Sequence, residues 1–134
     1  MLIVHHFGYL IKSLEKSKPV FQLLGYETEV GPIYDQGRDV LLLLMKKESI
    51  RLELIEPGKS SPLNNSLVKI RNTVYHICYE TNSISRTEQM LLQNGFIQVQ
   101  DPRPAVLFGE RRVAFYLHAQ LGMIELLENK SLEY

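Results

Sequence analysis

One cysteine, Cys78, stands in the 134 residues. An internal disulfide is therefore excluded, and the chain suits a reducing compartment. An excess of either charge is also missing, because fifteen Lys and Arg balance fifteen Asp and Glu. No stripe of basic side chains marks a phosphate-backbone partner, which argues against nucleic acid. Long apolar runs are lacking too: the longest, Val40 to Met45, falls far short of the ~20 residues a membrane-spanning helix needs. No charged segment leads into an apolar one as in a secretion signal. The expectation is a cytoplasmic protein without membrane partners, and a single domain over 1–134 with a core of ordinary size.

What the chain does contain is a repeat. Val4-His5-His6-Phe7-Gly8-Tyr9 matches Val74-Tyr75-His76-Ile77-Cys78-Tyr79 at a spacing of seventy residues. Ser13-Leu14 falls on Ser83-Ile84, and Gly25-Tyr26 on Gly95-Phe96. Leu52-Glu53-Leu54-Ile55-Glu56 resembles Ile124-Glu125-Leu126-Leu127-Glu128 at an offset of seventy-two, a drift that loop differences allow. Each half predicts a strand (3–11 and 73–80), then a helix in which Leu14, Phe21 and Leu24, or Ile84 and Leu91, recur at helical intervals. Ser17 is read as an N-cap with Pro19 in the first turn, and Gly25 and Gly95 as the positive-φ residues that end the helices. Three more strands follow each glycine, at 26–32, 39–46 and 49–56, then at 96–100, 111–118 and 122–128. Pro57-Gly58-Lys59-Ser60-Ser61-Pro62 reads as a turn-rich connection, and Arg103-Pro104-Ala105 as part of a second long loop, a candidate lid.

Strand alternation then sorts the faces. Ile50, Leu52 and Leu54, with Ile124 and Leu126, are expected to pack on the helices, as are the rows Phe7, Tyr9, Ile11 and Tyr75, Ile77, Tyr79. His5 belongs to the helix-facing row or its frayed end. His6, Glu53, His76 and Glu125 share the other face with Gly8, Leu10, Arg51, Ile55, Cys78, Met123 and Leu127. A few polar groups converging on an apolar surface are the usual make-up of a small-molecule site. Two imidazoles and two carboxylates suit a divalent ion such as Ni²⁺, Co²⁺, Zn²⁺, Mn²⁺ or Fe²⁺. A lone strand histidine is commonly structural; the same residue types at equivalent places in both halves shift the weight to ligation.

The segments "VHHFGYLIKSLEKS", "VYHICYE" and "RRVAFYLHAQLGMIELLE" resemble the vicinal oxygen chelate superfamily, the glyoxalase, bleomycin-resistance and dioxygenase fold. The resemblance implies an α+β fold: two tandem βαβββ modules whose curved mixed sheets form a metal-containing cleft. Module 1 would cover about 1–57, a linker 58–71 and module 2 about 72–130. The family's His, Glu or Gln, His and Glu ligands fall on His6, Glu53, His76 and Glu125, and His6 takes its "H-x-G" position.

Within the superfamily, a fourth protein ligand, Glu53, argues against extradiol dioxygenases, and an intact ligand set argues against the metal-free bleomycin-binding proteins. The resemblance that remains is to methylmalonyl-CoA epimerase and to glyoxalase I, the lactoylglutathione lyase. Both are isomerising enzymes that abstract a proton next to a carbonyl, with a metal as Lewis acid and a carboxylate base. "LELIEPGKSSPLNNSL" is similar to an epimerase segment, while the glyoxalase I "NWG" segment is missing and the Gly-rich turn before the last strand is shortened to His118-Ala119-Gln120-Leu121-Gly122. Asp35-Gln36-Gly37 resembles the acidic epimerase turn, with Arg38 where Val is usual. Asp35 and the metal ligand Glu125 are thus the two candidate bases. Arg51, Arg111 and Arg112 are candidate anchors for a substrate carboxylate or phosphate, and Cys78 is read as packing. The expected partner is a small acyl thioester or hemithioacetal, and a homodimer is expected, with the ligands drawn from one chain or across the pair. The competing reading is a non-catalytic binding or resistance protein on the same fold.

Overall fold

A computed structural model describes residues 2–70 and 72–129. The expected ends of the linker at 71 and of module 2 at 130 lie outside the described residues. The chain divides into two compact units, residues 6–75 and, among the described residues, 2–5 with 76–129.

In the first, strand β1 (Ile3–Leu10) leads to helix α1 (Leu14–Leu23), then to β2 (Glu27–Asp35), β3 (Val40–Lys47), β4 (Ile50–Pro57) and helix α2 (Leu63–Ile70). β1 pairs parallel with β4, which pairs antiparallel with β3, and β3 pairs antiparallel with β2. The second follows the same plan with β5 (Thr73–Thr81), α3 (Ile84–Gln93), β6 (Ile97–Pro104), a 3-10 turn at Val106–Phe108, β7 (Arg112–His118) and β8 (Gly122–Glu128). β5 runs parallel to β8, and β8–β7 and β7–β6 are antiparallel. The fold is α+β, a βαβββ module with a mixed sheet, built twice.

Helix entry and exit are set by equivalent residues. Ser13 and Ser83, both extended, accept the N–H of Lys16 and Arg86 on their hydroxyls and cap α1 and α3. The expected cap at Ser17 is therefore corrected: it lies inside α1, as does Pro19. The start is fixed from outside the segment as well, since the Leu14 N–H donates to the Glu56 carboxylate at 2.6 Å. At the other end Gly25 (φ 102°) and Gly95 (φ 89°) take the left-handed conformation as expected. Tyr26 N–H then reaches back to the Phe21 carbonyl, and Phe96 N–H to that of Leu91. Phe21 and Tyr26 close the first of these ends ring on ring, edge to face at 5.8 Å. Leu24, expected on the apolar stripe, is the capping residue and is exposed.

The helix-facing sides make the cores. In the first unit Ile11, Leu14, Leu43, Met45, Leu52 and Leu54 are buried together, with Phe7, Tyr9 and Phe21 against them. In the second, Ile84, Leu91, Ala114, Tyr116, Ile124 and Leu126 do the same, flanked by Tyr79 and Phe96. The Tyr116 hydroxyl donates to Glu88 at 2.6 Å, and burial, followed by that hydrogen bond, raises its pKa well above the ordinary phenol.

Three elements depart from expectation. β2 runs on to Asp35 through Pro32, and β6 to Pro104 through Pro102, so the segment around Arg103 is strand rather than the start of a loop. Proline removes a donor, which an outer strand tolerates on its unpaired side. The register slips between Thr28, Val30 and Ile33, and again between Gln98, Gln100 and Arg103, so both irregularities repeat at the seventy-residue spacing. Finally, the connection after Pro57 contains α2, starting directly after Pro62.

Candidate functional site

Each unit carries one His–Glu pair, placed by its parallel strands. In the register of β1 with β4, Gly8 stands opposite Glu53. Leu52 and Leu54 are taken by the core, so alternation turns Glu53 to the other face, as it does His6 one step along from Phe7. There His6 Nε2 lies 3.2 Å from Glu53 Oε1, and both side chains are buried. In the register of β5 with β8 the same arrangement recurs. Cys78 stands opposite Glu125, and His76 Nε2 lies 2.9 Å from Glu125 Oε1, again with both buried.

The surroundings are apolar. Leu44 stands opposite Glu53 and Leu42 opposite Ile55 on the same face, and all are buried. In the second unit Phe115 stands opposite Glu125 and sets its ring edge-on to His76 at 5.4 Å. Alternation along β7 would have revealed Phe115, since Ala114 and Tyr116 are the helix-facing residues. Cys78 is fully buried, as expected of a packing residue. His5 is buried edge-on to Phe108 at 5.4 Å.

Burying a carboxylate among leucines is expensive unless a cation or donors compensate it. An imidazole nitrogen and a carboxylate oxygen about 3 Å apart, in a dry apolar setting, form a donor set that fits a divalent transition metal.

The other sequence-derived candidates lie apart from these pairs. Asp35 ends β2 opposite Val40 and is buried on the Glu53 face. Its Oδ2 accepts from Arg38 Nη1 at 2.8 Å and its Oδ1 from the Arg38 backbone N–H at 3.2 Å. Arg51 donates to Glu29 at 3.0 Å. Arg111 donates to Glu80 at 3.0 Å and to the Phe108 and Glu128 carbonyls, closing the loop that holds the 3-10 turn. Arg112 pairs with Glu128 at the surface, and its hydrogen bonds, side chain first and then backbone, hold the Glu128 carboxyl below the ordinary range. Sequence reading missed the Asp35–Arg38 pair, although Asp and Arg three residues apart around a Gly turn are within reach of each other.

Among solved structures the chain is similar to a hypothetical protein from Bacillus halodurans C-125, with 22% identity and a TM-score of 0.84 over 96% of this chain and 95% of that one. A methylmalonyl-CoA epimerase in complex with methylmalonyl-CoA and NH4+ matches at 21% identity and a TM-score of 0.80, over 99% and 98%. The methylmalonyl-CoA epimerase from Mycobacterium tuberculosis matches at 19% and 0.78, over 93% and 86%. At these identities the likeness is one of fold. No curated protein matches the sequence. The family model of the Glyoxalase/Bleomycin resistance protein/Dioxygenase superfamily matches residues 5–115, most of the chain, and the protein belongs to that superfamily.

Proposed function

We propose that His6, Glu53, His76 and Glu125 together hold one divalent metal ion, and that the protein is an isomerase or lyase abstracting a proton next to a carbonyl. The observation that carries this reading is the recurrence of a buried His–Glu pair at the same parallel-strand register in both units. Ni²⁺, Co²⁺, Zn²⁺, Mn²⁺ and Fe²⁺ all suit His₂Glu₂. When bound, such an ion supplies Lewis-acid polarisation of a substrate carbonyl.

Glu125 is the base. Its carboxylate takes the proton from the carbon beside the carbonyl and returns it to the opposite face of that carbon once the flattened carbon has turned over, or to the neighbouring carbon on the same face. The first outcome is an epimerisation of an acyl thioester, the second an isomerisation of a hemithioacetal. Phe115, opposite Glu125, and the buried Leu127 share the face of that carboxylate and enclose it in apolar surface. Asp35 is the second candidate base, and its carboxylate is already engaged by Arg38. Of the three candidate anchors, Arg51 lies two residues along β4 from Glu53 on the same face; each of the three would first have to leave a partner, Glu29, Glu80 and Glu128 respectively. Both modules act as one domain in this reading, in a cytoplasm that keeps Cys78 reduced.

Metal analysis of the purified protein and α-proton exchange in D₂O test the reading. The expected result is one divalent ion per site and exchange into a methylmalonyl thioester or a glutathione hemithioacetal. Metal-loaded protein that exchanges neither would overturn the enzyme and leave a binding protein.

A further inference from the structure

Two cross-strand rows at corresponding places differ in kind. In the first unit Glu27 stands opposite Lys46 on β3, and Lys46 opposite Arg51 on β4, two residues along from Glu53 on the same face. Glu29, in the slip of β2, also holds Arg51 at 3.0 Å. That row is charged throughout. In the second unit Ile97 stands opposite Leu117 on β7, and Leu117 opposite Met123 on β8, two residues along from Glu125 on the same face. Val99 falls where Glu29 stood, at the seventy-residue spacing. This row is apolar throughout. Its exposure rises away from the carboxylate: Glu125 is buried, Met123 half-buried, Leu117 38% exposed and Ile97 60%. Phe115, opposite Glu125 and edge-on to His76, joins the row to the His–Glu pair.

We infer that the row of Met123, Leu117 and Ile97 is a subsite for a hydrocarbon chain borne on the reacting end of the substrate, which makes the substrate a medium-chain carbonyl compound. This rests on the proton-transfer reading of the His–Glu pairs. Apolar side chains scattered singly over a surface carry no such meaning; a contiguous strip leading out from a buried polar pair is how small-molecule sites are built. The size of the strip decides between occupants. Three strands at ~4.8 Å make it about 10 Å wide, and two residues make it ~7 Å deep. That footprint is a small fraction of the ~800 Å² that a second copy would have to cover in a stable dimer. Length follows from the register. Met123 lies ~7 Å along β8 from the level of Glu125, which about five extended carbons span at ~1.3 Å each. A methyl group stops short of the row, and a chain of four to eight carbons lies on it.

Calorimetric titration of the Zn²⁺-loaded protein with straight-chain alkyl hydroxamates of two, four, six and eight carbons reads the subsite without requiring turnover, since the hydroxamate is a chelating head group. The expected result is an affinity that rises about threefold per methylene between four and eight carbons, close to the ordinary worth of a buried CH₂. L117K and M123R, which install the first unit's residues in the second, are expected to flatten that rise. L117T and M123Q serve if the charged variants do not fold. A parent series with no rise, a rise that the variants keep, or no binding of any hydroxamate at millimolar concentration overturns the subsite. Sedimentation of the same proteins reads the rival occupant: a parent dimer that L117K dissociates gives the row to a second copy and overturns the subsite. Failure of the proton-transfer reading shows separately, as metal-loaded protein that exchanges no α-proton while the chain-length series persists.

Discussion

Residues 6–75 and 76–129 solve the same structural problem with different parts. Both end their helix on a left-handed glycine, start it on a serine, and set a buried glutamate against a histidine across a parallel strand pair. They part company around that frame. The residue opposite the glutamate is Leu44 in one and Phe115 in the other, where the phenyl ring stands edge-on to His76. Glu56 caps α1, whereas its counterpart Glu128 is spent on Arg112. The hairpin between the second and third strands is a tight turn holding Asp35 and Arg38 in the first unit, and a longer loop closed by Arg111 in the second. The lesson is that the pair and its register are the repeated invention, while the hairpin tips and the wall beside the histidine carry what distinguishes the halves.

The strongest way to break the equivalence is at the glutamates. E125Q removes the proposed base and is expected to lower α-proton exchange by about 10²–10⁴-fold. E53Q removes a ligand only, so at saturating metal its exchange rate stays well above that of E125Q, read by deuterium incorporation. Equal loss in the two variants would sink Glu125 as the base.

The cores should answer alike. Leu54 and Leu126 are fully buried in their clusters, and alanine at either is expected to cost about 2–5 kcal/mol in urea unfolding. A much smaller cost on one side would show a unit that collapses around the cavity. Smaller still are the caps, where S13A and S83A are each expected to cost about 1 kcal/mol; S13A should fall at the low end because Glu56 also serves the start of α1.

Acid should separate Glu128 from Glu56 by the least. The carboxyl of Glu128 is held below its ordinary range by Arg112, so its contribution is complete above the unfolded pKa and disappears as pH falls through the lower folded value. The urea midpoint of the parent protein should drop toward that of E128Q through the acidic range, and R112M should flatten the difference. A parent and E128Q that keep a constant gap down to low pH would remove Arg112–Glu128 from the stability of the second unit.

Much of this was legible in the sequence. The repeat placed the eight strands of the described residues, and alternation alone assigned His6, Glu53, His76 and Glu125 to one type of face, because leucines two apart mark which side is core. What escaped was non-local or masked by proline. The true cap, Ser13, sat in the repeat alignment, yet Pro19 drew the helix start forward, and the Glu56 carboxylate that helps fix it comes from forty-two residues away. Pro32, Pro102 and Pro104 hid the far ends of β2 and β6 because proline normally argues against a strand. α2 hid behind Pro57-Gly58 and Pro62. Arg38 was seen only as a departure from a family pattern until its guanidinium was found on Asp35.

The doubled slips in β2 and β6 have a consequence for the protein in a crowded solution. A regular outer strand is an invitation for another chain to add itself by hydrogen bonding. Here two register breaks and the prolines at 32, 102 and 104 interrupt the run of evenly spaced donors on both outer strands. Exposed Ile97 and Val99 would make β6 attractive to a passing strand, and the broken spacing denies it a register. Straightening β6 by replacing Pro102 and Pro104 should therefore leave the fold intact and appear first as concentration-dependent fibre formation.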